Sequence, residues 1–428
     1  MARLLGTTMV AVASICVAVS PMAGQFALAQ QVPERGVGVA DRTRPDYDPV
    51  GVRAGGFVVY PSVTTSAEYT DNLFADPANE QDDTLLMVAP EVRVESQWSR
   101  HALNLQAEAA SRFHSENDGE DFTNYGFVAD GRLDITRQTS LAASAGFRVD
   151  HEGRGSPDLP NAAAEPTRFT EARAEVSLTQ RFNRLSLRPS LAYSETDFDD
   201  VALLPPAGGQ INNDDRDREE VVAALRIGYE VSPALELFAE GRYRDIRYDN
   251  FDDTLGGGGV ARRDSDGYEA LAGASFDVGH LARGRLGVGY LSREYESSLI
   301  PSVNGAIYEG AVDWFVTNLT TLGLFGARRV EETTLAGASG NLVTGVGARV
   351  DHELRRNIIL SADATYEMSE FEGTAREDDT LALGADITYL VNRNLRLVLD
   401  YDYDRRDSTA PGADFTTNSV ILSLRTSL

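Results

Sequence analysis

Along most of this chain every second residue is apolar, in runs of about ten to fifteen residues. In one run Leu86, Val88, Pro90, Val92, Val94 and Trp98 share a face, while Met87, Glu91, Arg93, Glu95 and Gln97 share the other. In the next, Leu103, Leu105, Ala107, Ala109 and Phe113 oppose Asn104, Gln106, Glu108, Arg112 and His114. A third sets Leu395, Leu397, Leu399, Tyr401 and Tyr403 against Arg396, Asp400, Asp402 and Asp404. Side chains on a strand alternate faces, so each run has one apolar wall and one ionic wall. Burying the ionic wall in a soluble core would cost several kcal/mol per unpaired charge, so it faces water while the apolar wall faces a dry medium. The pattern predicts about eighteen strands, at 57–70, 84–98, 102–114, 123–135, 139–150, 169–182, 184–196, 219–231, 235–247, 267–278, 284–294, 305–316, 320–330, 341–354, 358–370, 379–390, 395–406 and 418–428. Strands of this length cross a bilayer at the tilt that barrels adopt.

The connections alternate between short turns, such as Ser99-Arg100, Asn183 and Ser232-Pro233-Ala234, and long acidic loops, such as those at 151–168 and 197–218. Outer-membrane barrels have short periplasmic turns and long outer loops. The chain therefore reads as all-β: a single transmembrane antiparallel up-and-down β-barrel over 56–428, with both ends periplasmic. Aromatic residues support that orientation. Trp98, Phe182, Tyr229, Phe276, Trp314 and Tyr389 lie near the short turns, and Tyr69, Phe113, Phe147, Tyr193, Tyr243, Tyr290 and Tyr366 near the long loops. Two such bands suit the two interfaces of a bilayer. The final strand ends on Leu428, where such barrels usually carry an aromatic residue.

Residues 1–29 read as a secretory signal, with Arg3, an apolar run from Leu4 to Val19, and Ala27-Leu28-Ala29 before the cleavage point. Cys16 is the only cysteine and leaves with the signal, which suits an oxidising compartment. No later segment has the roughly 18 to 20 consecutive apolar residues of a spanning helix. Residues 30–55, rich in Pro, Gly and Arg and without alternation, read as a periplasmic arm or partial plug.

The formal charge is -27, and every basic residue is arginine. No basic patch offers itself to nucleic acid. On the ionic faces, Glu91, Arg93, Glu95, Arg112, Arg132, Arg148, Arg173, Arg188, Arg242 and Arg244 make the first half of the expected lumen rich in arginine. Asp363, Glu367, Asp386, Asp400, Asp402 and Asp404 make the last strands acidic. Separating the two signs across a pore would create a transverse field acting on polar solutes; the competing reading is that the charges only brace the wall. Phe238 and Phe315 are the clearest inward aromatics, too few for a sugar slide. Oxygen-rich loops at 198–200, 212–215 and 250–253 lack the spacing of a calcium loop. The histidines at 101, 114, 151, 280 and 352 are scattered, and Gly256 to Gly259 have no strand-to-helix context, so neither catalysis nor a cofactor is expected.

The stretch Arg53-Ala54-Gly55-Gly56-Phe57-Val58-Val59-Tyr60-Pro61-Ser62, followed by Tyr69-Thr70-Asp71-Asn72-Leu73-Phe74 and by Asp82-Asp83 leading into Val88-Ala89-Pro90, resembles the opening of an outer-membrane beta-barrel porin family that accompanies exopolysaccharide synthesis and export genes in Gram-negative bacteria. The resemblance implies a channel for a polysaccharide or small hydrophilic solutes. It also implies contact with outer-membrane lipid and lipopolysaccharide, with the barrel assembly machinery, and with periplasmic polysaccharide export proteins. A barrel of about eighteen strands is wide enough for an aqueous channel. The alternative is a plugged barrel that anchors a periplasmic export or adhesion complex through its arm.

Overall fold

The computed structural model describes residues 36–159, 163–204, 208–250 and 262–428. The expected secretory signal and the glycine run at 256–259 lie outside them, as do residues 251–253 of one acidic loop. Eighteen antiparallel strands follow in chain order: β1 (Phe57–Thr70), β2 (Asp83–Ser96), β3 (Ala102–His114), β4 (Phe122–Asp134), β5 (Thr139–His151), β6 (Arg168–Phe182), β7 (Leu185–Phe198), β8 (Arg218–Ser232), β9 (Leu235–Tyr248), β10 (Ser265–Asp277), β11 (Ala282–Tyr295), β12 (Val303–Thr317), β13 (Thr320–Glu331), β14 (Gly340–Arg355), β15 (Ile358–Glu372), β16 (Glu377–Leu390), β17 (Leu395–Ser408) and β18 (Phe415–Ser427). Each pairs with its sequence neighbours, and β18 returns to β1 in a register running from Ser62 opposite Ser427 to Thr70 opposite Ser419. Closure leaves no strand edge with unpaired backbone groups, which is what permits a sheet to sit in hydrocarbon.

Alternation decides which side of each strand faces out. On β11, Leu286, Val288 and Tyr290 are at least half exposed, whereas Leu291 and Arg293, on inward positions, are buried. On β8, Leu225, Ile227 and Tyr229 face out in the same way. A continuous apolar exterior of this extent would not be stable in water, and it is the surface a bilayer covers. The outward aromatics form two bands: Phe182, Tyr229, Trp314 and Tyr389 near the short turns, and Tyr193, Tyr268, Tyr290 and Tyr366 near the long loops, all exposed.

The expected strands are all present, but several run one to three residues further toward the long loops. β10 starts at Ser265 rather than 267, and β16 at Glu377 rather than 379. These extensions carry charge outward, so apolar alternation does not reveal them. Among the described residues of this stretch, 36–55, there is one short strand, Val52–Ala54, which pairs with Phe57–Val59 of β1. Three residues are too few to show a period. On the short-turn side Asn183 adopts a left-handed conformation (φ 56°), which lets β6 and β7 be joined by Asn183 and Arg184 alone.

Candidate functional site

The inner wall is where this sequence concentrates its charge, and the expected lumen residues alternate along their strands with the exposed apolar ones. On the β2–β7 side most of the arginines have carboxylate neighbours. Arg93 lies 3.3 Å from Glu91, and Glu91 also takes a 2.6 Å bond from Arg425 on β18. Arg132 pairs with Asp134 at 3.1 Å, and Arg148 and Arg173 both bond Glu171. Arg112 lies over the Phe122 ring, 5.6 Å from its centroid, and Glu95 faces Asn104 across the register. Arg188 stands directly opposite Arg226 on the neighbouring strand.

On β8–β12 the pairing becomes a brace. Arg242 bonds Glu240 at 2.6 Å, Glu309 at 3.1 Å and Glu269 at 3.2 Å. Arg285 bonds Glu240 at 2.9 Å and Glu309 at 2.8 Å, while Arg244 bonds Glu220. The Arg242–Glu309 contact joins β9 to β12 over two intervening strands, a chord that only the concave side of a barrel allows. Phe238 lies beneath this network, with Arg226 4.0 Å and Arg285 4.6 Å from its ring centroid. Gly273 makes room for that ring, since a Cβ there would sit 2.6 Å from Phe238 Cζ.

The β15–β17 wall differs. Asp363 and Asp386 share Arg349 at 3.7 and 3.6 Å, and Glu367 has Arg329 at 3.9 Å. Asp400, Asp402 and Asp404 occupy successive inward positions of β17, spaced about 7 Å by strand geometry. None of them has an ion-pair partner among the described residues. Asp386 stands directly opposite Asp400 in the register, which adds a like charge. On nearby β1, Glu68 is buried, and its Oε2 has no hydrogen-bond partner among the described residues. Uncompensated like charges lining a confined aqueous space give it a negative potential that favours cations.

Both mouths are narrowed. At the outer end residues 152–159, which follow β5, leave the wall and turn inward. Asp158 accepts from Thr333 Oγ1 at 2.7 Å, and Arg406 of β17 donates to the Gly155 carbonyl at 2.5 Å. Those partners lie across the barrel from β5 and β6, so the loop bridges the opening. It is anchored on its own side by Arg154 on Glu120 and by Arg216 on Glu152. At the other end residues 36–51 follow the inner rim. Val39 donates its N–H to Thr321 Oγ1 at 3.0 Å and packs with Ile359, Leu390 and Tyr47. Arg42 and Arg44 hold Glu353 at 3.2 and 3.1 Å, and Arg283 reaches Asp41 at 3.1 Å. Burial holds the Arg44 guanidinium below its ordinary pKa even with Glu353 beside it.

Inward aromatics are more numerous than Phe238 and Phe315 alone. Tyr248 and Phe371 also point inward, but both are buried, as are Phe238 and Phe315. None presents the open face on which a sugar ring slides. The inward loop was not legible in the sequence, because its contacts to Thr333 and Arg406 span 175 and 251 residues and leave no local pattern. In the acidic loops Asp199 pairs with Arg168, and Asp200 accepts from the Asn213 N–H. No group of three or more His, Cys, Asp or Glu side chains able to hold a metal occurs among the described residues.

Among solved structures the chain is similar to Pseudomonas aeruginosa OpdO (13% identity, 86% of this chain and 97% of that one covered, TM-score 0.45). It is also similar to OpdL (12%, 88% and 100%, 0.45) and OccK2, also called OpdF (11%, 87% and 98%, 0.48), from the same organism. No curated protein matches the chain. The profile of the family described as "Putative beta-barrel porin 2" matches residues 44–428. The chain belongs to that family, and its barrel is a porin-type channel of the bacterial outer membrane.

Proposed function

We propose that this porin passes small hydrophilic solutes, cations in preference to anions, through a lumen whose selectivity is set by the β15–β17 wall. The observation that carries the reading is the Asp400, Asp402 and Asp404 ladder, inward on one strand and without an ion-pair partner among the described residues. Carboxylates that only brace a wall would be matched by arginines, as those on β9–β12 are. Passage of small solutes accounts for the loop across the outer mouth and the arm along the periplasmic rim better than passage of a wide hydrated polysaccharide. The resemblance to barrels encoded beside exopolysaccharide export genes supports the polymer version, which requires the loop to swing aside. The docking alternative asks the arm to be available to a partner, whereas residues 39–44 spend their contacts on the barrel's own wall.

The test is conductance in planar bilayers of the full-length protein beside a variant lacking residues 30–55, with the cation-to-anion permeability ratio recorded. Cation-selective current in the full-length protein supports the proposal, and a larger current in the truncated form assigns the arm a narrowing role. Silence in both overturns the channel reading and favours docking. Anion selectivity would remove the aspartate ladder from the role given to it.

A further inference from the structure

Between the inward loop and the inner wall of β13–β17 lies a cavity of about 140 Å³. Most groups facing it already have partners. Glu332 is met by Arg293 and by the Tyr248 hydroxyl at 2.6 Å, and Asp378 by Arg376 at 2.6 Å. Arg406 donates to two backbone carbonyls, Ala413 at 2.7 Å and Gly155 at 2.5 Å. Two buried acceptors are left over. Asn341 uses its amide nitrogen on Ser369 Oγ at 3.4 Å, and its Oδ1 has no partner among the described residues. Glu367 Oε2 has none either; its cation, Arg329, stands 3.9 Å away and bonds Glu331. Each of these residues is only 7% exposed, and both line the cavity.

A buried acceptor without a donor is destabilising, more so when it is charged, so the cavity is built to receive hydrogen-bond donors. Carboxylates outnumber arginines around it, which disfavours an anion. The described residues offer no cluster suited to a metal ion. Spacing narrows the choice further. Glu367 stands opposite Gly345, and Asn341 lies four residues along the same strand, a backbone distance of about 13 Å. Two acceptors held on backbones that far apart are matched by two donor groups on one short chain better than by a single ammonium. We propose that this cavity is a capture site at the outer mouth for a short linear diamine, one amino group on Glu367 and the other on Asn341. The assignment deepens the channel reading and rests on it for the solute's onward route along the β17 aspartates.

The experiment is titration calorimetry of the detergent-purified full-length barrel with 1,4-diaminobutane, butylamine and butane-1,4-diol, repeated on Glu367→Gln and Asn341→Leu. Heat-modifiable gel migration reports that each variant barrel has closed. Expected are saturable binding of the diamine, about tenfold weaker binding of butylamine, no detectable binding of the diol, and about a tenfold loss in either variant. Equal affinity for diol and diamine, or unchanged diamine affinity in both closed variants, overturns the site. Diamine binding that depends on Glu367 in a barrel that does not conduct would keep the site and remove the channel. Cation-selective conduction without diamine binding would do the reverse.

Discussion

The β8–β12 wall and the β15–β17 wall obey the same alternation and carry similar densities of charge, yet they do different things with it. On the first, Arg242 alone bonds three glutamates, and Arg285 shares two of them. On the second, three aspartates follow one another along β17, and the first of them, Asp400, faces Asp386 on the next strand. A matched wall contributes rigidity and little net field; an unmatched wall contributes field at a cost in stability. The polar face of a barrel strand is therefore one pattern serving two purposes, and the partner across the strand decides which.

The largest expected effect breaks or confirms that contrast directly. Arg242→Gln removes the cation shared by Glu240, Glu269 and Glu309, and should lower the unfolding free energy by about 3 kcal/mol. Asp402→Asn relieves repulsion and should leave stability unchanged or raise it. Urea unfolding of both variants in lipid reads the difference. A loss of similar size in both would mean that the two walls are equally structural.

Next in size is selectivity. Converting Asp400, Asp402 and Asp404 together to Asn should reduce the cation-to-anion permeability ratio several-fold at low salt and much less at 1 M, where the Debye length shrinks to about 3 Å. Glu240→Gln, on the matched wall, should change the ratio far less. A larger effect from Glu240 than from the triple variant would invert the assignment. A smaller change is expected at the periplasmic rim. Glu353→Gln removes the carboxylate shared by Arg42 and Arg44 and should increase current fluctuations without altering selectivity; steady current identical to wild type would show that the arm is held by Val39 packing alone.

How much of this was legible in the sequence follows from the range of each interaction. Strands were legible because the period of two is local, and the inward placement of residues such as Arg242 and Asp402 follows from counting along the strand. Which arginine meets which acid was not. Arg242 and Glu309 are 67 residues apart and meet only because the barrel closes at a particular register. The loop that bars the outer mouth was invisible for the same reason, and its acidic composition resembles that of any solvated loop. Phe238 could be assigned to the inward face but not recognised as covered, since its cover is a pair of guanidinium groups from β8 and β11.

The smallest effect concerns a carboxylate on neither wall. Asp217, in the loop before β8, is pushed up to about 6 from an ordinary value of 3.8, first by burial, with Asp197, Asp214 and Asp249 adding repulsion. Because the folded value is raised, the stability this group contributes is complete below pH 3.8 and is lost as pH climbs through 6. One interaction opposes that trend, the Phe198 N–H donated to Asp217 Oδ1 at 2.7 Å, which favours the ionised form. Burial and repulsion together outweigh it, so the Phe198 amide should exchange faster with solvent at pH 7 than at pH 4.5 after correction for intrinsic rates. Asp217→Asn should flatten that dependence. Protection that grows with pH would show the single hydrogen bond winning, and would place Asp217 with the matched carboxylates of β9–β12 rather than with the ladder on β17.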